Sequence, residues 1–419
     1  MKLKIIFCNV LFFVGTSIGL AQTTRANSLT SGFFGYVDGA TITNLSVDVA
    51  FYIGYAPSTA YTGTTGGGLI CSTTGTGNVL VNNCTVTGII DVLTTNPTAS
   101  IAQTLAKAGG IVCTAASTAK LTIVNSSVNA IIVAKNDATS NITTSALANS
   151  AGIVGDVGSK TGQTVEVINC MAAGSTSAIS TNYSSFAGGI VGFNYANATV
   201  VNVSNCLASN AVIGSGNTNT MLGGIVSSQV NANSLTQNCM ALNSFVRATK
   251  TTSGDPVYYR IGTKALGTFA NNFAMDGLLV QKTVASVGPT TISISSTDAS
   301  SNHGADLGFD SAGDANVKLN AYVSSNPFFN TIALNPWAGA GLITPTVNNQ
   351  IMLAPLKYSV ENDILTIRGI DGLKQLSIYT VTGKLVIHRM ISDTFSVPLL
   401  KGFYLFKLDG YKPYKIIVN

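Results

Sequence analysis

Between residues 32 and 275, apolar and turn-forming positions recur in one order down the chain. Each unit opens with a glycine pair and a short apolar run: Gly67-Gly68-Leu69-Ile70, Gly109-Gly110-Ile111-Val112, Ala151-Gly152-Ile153-Val154, Gly188-Gly189-Ile190-Val191 and Gly223-Gly224-Ile225-Val226. A second landmark follows in each: Asn83-Cys84, Asn125-Ser126, Asn169-Cys170, Asn205-Cys206 and Asn238-Cys239. Degenerate copies flank these five, Phe34-Gly35-Tyr36-Val37 with Asn44-Leu45 before them and Arg260-Ile261-Gly262 with Asn272-Phe273 after them. Counted from Asn44 to Asn272, successive landmark spacings are 39, 42, 44, 36, 33 and 34 residues. Periods of this size occur in helical and in β repeats. Alternation such as Val165-Glu166-Val167-Ile168 and Val201-Asn202-Val203-Ser204, with β-branched residues dense and glycine frequent, selects strands.

Each unit therefore predicts three short strands: the Gly-Gly-Ile-Val run, a strand ending at Asn-Cys, and a third exemplified by Ala211-Val212-Ile213. A single unit cannot bury its apolar side, whereas stacked units can. The expected fold is all-β: a β-solenoid (parallel β-helix) of about seven coils over 22–275. Gly68, Gly110, Gly152, Gly189 and Gly224 should form one file and Asn83, Asn125, Asn169, Asn205 and Asn238 another. The glycines suit a corner where a Cβ clashes or φ is positive, and the asparagines suit tight turns with stacked amides. Segments 54–66, 94–107, 135–149, 174–186 and 214–221, rich in Thr, Ser, Asn and Gly, read as loops on one edge, where recognition is usually carried.

Gly-Gly-Ile-Val-Gly-Phe-Asn at 188–194, followed by Val203-Ser204-Asn205-Cys206-Leu207-Ala208, resembles the GLUG repeat of bacterial surface proteins. The resemblance covers residues 32–275 and implies a non-catalytic module. The fifth-position glycine of that repeat stands only at Gly155 and Gly192, with Cys71 and Cys113 in two other units.

The two ends differ from the body. Lys2 and Lys4, an apolar run over 5–14 and Gly19-Leu20-Ala21 before Gln22 have the layout of a signal peptide at 1–21, cleaved between Ala21 and Gln22. That run is too short for a comfortable span, and no later segment reaches the length of one, so no membrane span is expected in the mature chain. Residues 276–349 break the period and read as a cap and linker, with Phe328, Phe329 and the single tryptophan, Trp337, as a plug. Residues 350–419 carry strand candidates at 357–360, 364–367, 376–380, 384–388, 395–397, 403–408 and 415–418, a small β-sandwich pattern. This segment resembles the C-terminal sorting domain of the type IX secretion system of Bacteroidetes through 376–386, 400–408 and 415–418, with Tyr379, Gly383, Lys384, Gly402, Tyr404 and Lys415 as motif residues. The resemblance implies handling by outer-membrane secretion machinery and a place outside the cell or on its surface.

Composition narrows the function classes. Charged residues make up only 9% of the chain, so Thr, Ser and Asn must wet its surface. Residues 22–349 hold eleven Lys/Arg against twelve Asp/Glu, without the clustered cations that nucleic acid requires. Cys71, Cys84, Cys113, Cys170, Cys206 and Cys239 are even in number, yet their repeat positions favour an inward ladder of thiols over disulfides. No close Cys/His spacing marks a zinc site, and neither a metal nor a cofactor is expected. His303 and His388 lie in separate segments, and His303 with Asp306 reads as part of a cap. Asp91, Asp137, Asp156 and Glu166 share no register, so no catalytic residues are assigned and the chain is not expected to be an enzyme. Arg247, Lys250, Asp255, Arg260 and Lys264 read as a solvated face of the last coil. The expected role is an adhesin or glycan- and host-matrix-binding module. A surface-layer or fibre component is the first alternative, and a polysaccharide lyase or hydrolase on a β-helix the second.

Overall fold

The computed structural model describes residues 11–21, 26–27, 30–56, 63–97, 100–139, 142–158, 160–194, 198–243, 245–250, 256–275, 278–284, 288–292, 294–306, 357–361, 363–380, 385–399, 401–408 and 414–418. Lys2, Lys4, Gln22, Phe328, Phe329, Trp337, Gly383 and Lys384 lie outside them. The described residues form an all-β structure without helix. Two compact units divide the chain, Met1–Pro345 and Thr346–Asn419. No helix among the described residues is long and apolar enough to cross a membrane.

In the first unit, successive turns of chain pair in parallel and in register. The strands after the glycine pairs, Ile70–Thr73, Val112–Ala115, Val154–Val157, Val191–Asn194 and their neighbours, make one seven-stranded sheet. A second file runs through Val79–Asn82, Leu121–Val124, Thr164–Ile168 and Val200–Ser204. A third runs through Thr85–Thr94, Ser127–Asn136 and Met171–Ser180. Alternation turns Val79, Val81, Leu121, Ile123, Val165, Val167, Val201 and Val203 into one continuous core with the corner isoleucines.

The corners explain the repeat. The carbonyl of Ile153 accepts from the N–H groups of both Ile111 and Val112 at 3.0 Å, and the Ile190 carbonyl accepts from Ile153 and Val154 in the same way. This double bond between turns needs the backbones close together. A Cβ on Gly152 would lie 2.2 Å from the Gly189 carbonyl oxygen, and one on Gly110 would lie 2.0 Å from that of Gly152. Gly68, Gly110, Gly152, Gly189 and Gly224 thus form a file that requires glycine for close approach, and none of them has positive φ. The positive φ falls on the asparagines instead. Asn44, Asn83, Asn125, Asn169, Asn205, Asn238 and Asn271 all lie between 51° and 56°. Asparagine tolerates this region better than other non-glycine residues. Side-chain amides bridge parts of the file, from Asn83 to Asn44 at 2.7 Å, from Asn169 to Asn125 at 3.2 Å and from Asn271 to Asn238 at 2.7 Å.

Three expectations are corrected. The last landmark is Asn271, and Asn272 stands in the column of Cys84, Ser126, Cys170, Cys206 and Cys239. There its Oδ1 accepts from the Cys239 N–H at 3.0 Å, as Ser126 Oγ accepts from Cys84 N–H at 3.1 Å. Second, each unit has four strands, because most of the expected loops contain one: Gly63–Gly67, Ile101–Gly109, Ile142–Ala151, Ser184–Gly188 and Thr220–Gly223. These form a second seven-stranded parallel sheet. Most of their buried residues are small or polar, with Ile101, Phe186 and Leu222 as the large ones, and they pack against the third strands through Ala148, Ala178, Ala187, Val212 and Leu222. Thr94 Oγ1, Asn136 Nδ2 and Ser180 Oγ donate from the ends of the third strands to the carbonyls of Leu105, Leu147 and Ala146. Third, stacking continues past residue 275 through Leu279–Val284 and Ala305–Asp306, and Gly288–Ile292 closes the edge in the antiparallel sense. At the other end Leu11–Ala21 pairs in parallel with Thr41–Tyr55.

The second unit is a five-stranded antiparallel sheet of Lys357–Glu361, Ile364–Thr380, Leu385–Pro398, Gly402–Leu408 and Tyr414–Val418. Seven expected strands become five, because register shifts within Ile364–Thr380 and its partner let long strands bend without losing their pairing. Leu365, Ile367, Leu376, Ile378, Phe406, Leu408, Ile416 and Val418 fill its core.

Two substitutions test the corner. Gly152→Ala should lower stability by ~1–3 kcal/mol through overpacking, seen as a lower midpoint of denaturant unfolding. Asn125→Val should cost ~1–2 kcal/mol for the left-handed conformation, with Asn125→Gly much closer to the wild type.

Candidate functional site

Two features of the first unit place chemistry-bearing side chains together: the outward side of the third strands and the corner between first and fourth strands. Alternation sends every second residue of Thr85–Thr94, Ser127–Asn136 and Met171–Ser180 outward, and the register stacks them. Ile89 lies on Ile131, Leu93 on Lys135 and then Ile179, and Tyr52 on Asp91, Val133, Ser177 and Ile213. Ile131 is 48% exposed, while Ile89, Leu93, Val133, Ile179 and Ile213 are half-buried. The result is a short apolar strip, Ile89 and Ile131 with Val133 beside them, set among Asp91, Lys135 and Ser177 on the neighbouring columns. Its two cations are engaged: Lys135 pairs with Asp137 at 2.6 Å, and Arg247 donates to Gln281 at 2.7 Å while lying over the Phe245 ring. The sequence did not single out these isoleucines, because an outward Ile within the apolar run Ala130-Ile131-Ile132-Val133-Ala134 looks like core.

The corner fills differently at every level. One column runs Thr65, Lys107, Asn149, Phe186, Met221, and another runs Ser72, Thr114, Asp156, Phe193. Thr65 Oγ1 meets Cys71 Sγ at 3.2 Å. Lys107 Nζ lies 2.5 Å from Asp156 Oδ2, and Asn149 Nδ2 donates to Asp156 Oδ1 at 2.7 Å. Phe186 and Phe193 stack with centroids 3.9 Å apart. The Lys107 and Asp156 side chains are only 15% and 6% exposed. Burial works against the Lys107 ammonium, but the Asp156 carboxylate outweighs it and holds its pKa above the ordinary value. Asp156 thus joins Lys107 and Asn149 from other strands, which no spacing along the chain announces. The other acids in the repeats stay apart: Asp91 and Asp137 belong to third strands or their ends, and Glu166 pairs with Lys120 at 2.8 Å on the second file.

The six cysteines of the repeats are buried free thiols, and Cys8, the seventh in the chain, lies outside the described residues. In the Asn-Cys column each donates to the carbonyl two residues before it, as Cys170 does to Ile168 at 3.3 Å and Cys206 to Ser204 at 3.3 Å. Burial, with Cys170 and Cys239 beside it, pushes the Cys206 thiol well up. Such groups are thiols at neutral pH and weak nucleophiles. Among the described residues no three His, Cys, Asp or Glu side chains are placed to hold a metal ion.

The last turn corrects one expectation. Arg260 is fully buried, not solvated, because residues 294–306 fold over it. Its guanidinium pairs with Asp306 at 2.5 Å and donates to the Gly304 carbonyl at 3.1 Å. Asn302 continues the corner: its carbonyl accepts from Ile261 and Gly262, as an isoleucine carbonyl does elsewhere. His303 stands edge-on to Tyr259, and burial, then Arg260, lowers its pKa to about 4. Burial opposes the Asp306 carboxylate, but hydrogen bonds from Ser295 and Arg260 outweigh it and hold its pKa below the ordinary value.

In the second unit Tyr379 is half-buried opposite Leu405, and Tyr404 is buried opposite Thr380. Gly402 has φ near 157°, and Lys415 pairs with Leu405 in the edge strand. Comparison with family models, curated proteins and solved structures finds no match.

The end cluster makes a pH prediction. His303 is neutral when folded down to about pH 4, whereas an unfolded histidine protonates near 6.5. Its folded pKa is lowered, so acid favours the open form, and stability at this end falls as pH drops from 6.5 towards 4. Hydrogen exchange should show falling protection of the Ile261 and Gly262 amides over that range, and His303→Phe should flatten the dependence. Unchanged protection in the wild type would contradict it.

Proposed function

We propose that the chain is an exported, non-catalytic surface protein whose GLUG-like repeats wind into a β-solenoid and bind glycan or host-matrix surfaces through the outward third-strand face. In this reading residues 1–21 direct export and are removed, and residues 350–419 form a β-sandwich sorting domain read by type IX-like outer-membrane machinery. The observation that carries the binding assignment is the apolar strip around Ile131, flanked by Tyr52 and by Ser and Thr hydroxyls. Exposed apolar strips mark interaction surfaces. The C–H faces of sugar rings suit such a surface, and hydroxyls beside it can meet theirs. Low charge fits recognition by shape and hydrogen bonding. The rim of loops first expected to carry recognition is largely strand, so the binding role moves to this face.

The mature chain on a glycan and host-matrix array should bind, and Ile131→Asp with Ile89→Asp should abolish binding while leaving the unfolding midpoint near the wild type. Absence of any ligand together with self-assembly in light scattering would replace this reading with a structural surface component. Release of reducing or unsaturated sugars would replace it with a carbohydrate-active enzyme. Protein recovered from the cell surface should begin at Gln22 and lack residues 350–419.

A further inference from the structure

The corner cluster of Lys107, Asn149 and Asp156 contains an amine, a primary amide and a carboxylate that touches both. Lys107 and Asn149 are register partners on adjacent parallel strands, so their side chains leave the sheet on the same side from Cα atoms about 4.8 Å apart. The Asp156 carboxylate bridges them, with Oδ2 2.5 Å from Lys107 Nζ and Oδ1 2.7 Å from Asn149 Nδ2. A carboxylate oxygen accepts, so the amide must turn its Nδ2 towards Asp156. Asn149 Oδ1 is buried without a hydrogen-bond partner. An orphaned buried carbonyl oxygen is costly, and here it belongs to the carbon that the neighbouring amine would attack.

The surroundings are dry. Asn149 is 1% exposed, and its register neighbour Phe186 stacks on Phe193, the register neighbour of Asp156. On the other side the Cys113 thiol donates to the Lys107 carbonyl at 3.2 Å. The Asp156 carboxylate favours the Lys107 ammonium at rest, and the contact at 2.5 Å gives the proton a direct path to Asp156 when the neutral amine forms. The cluster also holds nucleophile and acceptor together, which lowers the barrier to joining them.

We propose that Lys107 and Asn149 become joined by a side-chain isopeptide bond, with Asp156 carrying the protons. Asp156 Oδ2 takes a proton from the Lys107 ammonium, leaving a neutral amine as the nucleophile. The Nζ lone pair attacks Asn149 Cγ, and Oδ1 takes the negative charge of the tetrahedral intermediate. Asp156 returns its proton to Nδ2, the Cγ–Nδ2 bond breaks as the C=O bond re-forms, and ammonia leaves. The remaining excess proton on Nζ passes to the ammonia, which departs as ammonium. Lysine ammonium and asparagine amide are thus converted to one secondary amide and ammonium, with Asp156 restored and no oxidant or cofactor needed. The product staples two successive turns of the stack at their corner. It also closes a loop that the unfolded chain would otherwise have free.

Mass spectrometry of the purified full chain tests this. The intact protein should be lighter than its sequence by ~17 Da, one ammonia per bond. Cyclisation of an N-terminal Gln22 would also lose one ammonia, so the decisive reading is the tryptic map. It should contain a branched peptide linking the arm with Lys107 to the arm with Asn149, and trypsin should not cut after Lys107. Lys107→Arg and Asp156→Asn should give linear peptides only. Linear wild-type peptides carrying a free Lys107 and an intact Asn149 would overturn the proposal, and that readout does not depend on whether a variant folds. A branched peptide that persists in Asp156→Asn would overturn the role given to Asp156.

Discussion

The close approach of successive turns at the glycine corner is the constraint on which the first unit depends. One isoleucine carbonyl takes two N–H groups from the turn stacked against it, and this happens at Ile111, Ile153, Ile190, Ile225 and Ile261. The geometry leaves no room for a Cβ at the second glycine of each pair, although Ala151 stands at the first position. Once the corner is set, the strands on both sides start in register. The side chains then stack like upon like: valine on valine in the core, asparagine on asparagine at the left-handed turn, thiol on thiol beside it.

That regularity makes the departures informative. A position that differs at each level is free of the stacking requirement. The corner column of Thr65, Lys107, Asn149, Phe186 and Met221 departs most. Its members solve the same packing problem with a hydroxyl, an ion pair, an amide, a ring and a thioether in turn. Burial of an ion pair alone is weak support for stability, so the Lys107 and Asp156 pair invites a chemical explanation more than a packing one. The outward strip around Ile131 departs in the opposite sense, since apolar side chains persist where solvent would favour polar ones.

The ends of the stack show how an open series of parallel strands is terminated. Every added turn leaves a new edge with unpaired backbone groups, which is a hazard for aggregation. At the far end the strand Gly288–Ile292 runs against the direction of all the others, so it cannot template another parallel turn. At the same end Arg260 is buried under residues 294–306, where its guanidinium pairs with the Asp306 carboxylate and donates to the Gly304 carbonyl. A charge that composition assigned to solvent thereby becomes the fastening of the last turn.

The amino-acid sequence by itself determined the all-β class, the period, the glycine and asparagine files and the inward thiols, because each is a local demand repeated at one spacing. Close backbone approach needs glycine, a left-handed turn favours asparagine, and alternating β-branched residues need a pleated strand, wherever in the chain they fall. The fourth strand of each turn was not legible. Segments such as Ile142–Ala151 and Ser184–Gly188 have weak strand propensity of their own, and they are held by pairing with strands of the neighbouring turns and by packing against the third strands. Only the tertiary structure decided which outward isoleucines share a face, that Arg260 is buried, and that Lys107, Asn149 and Asp156 meet. Those outcomes depend on register between turns, which is set by the corner and by loop lengths that vary from unit to unit, and no single segment contains it.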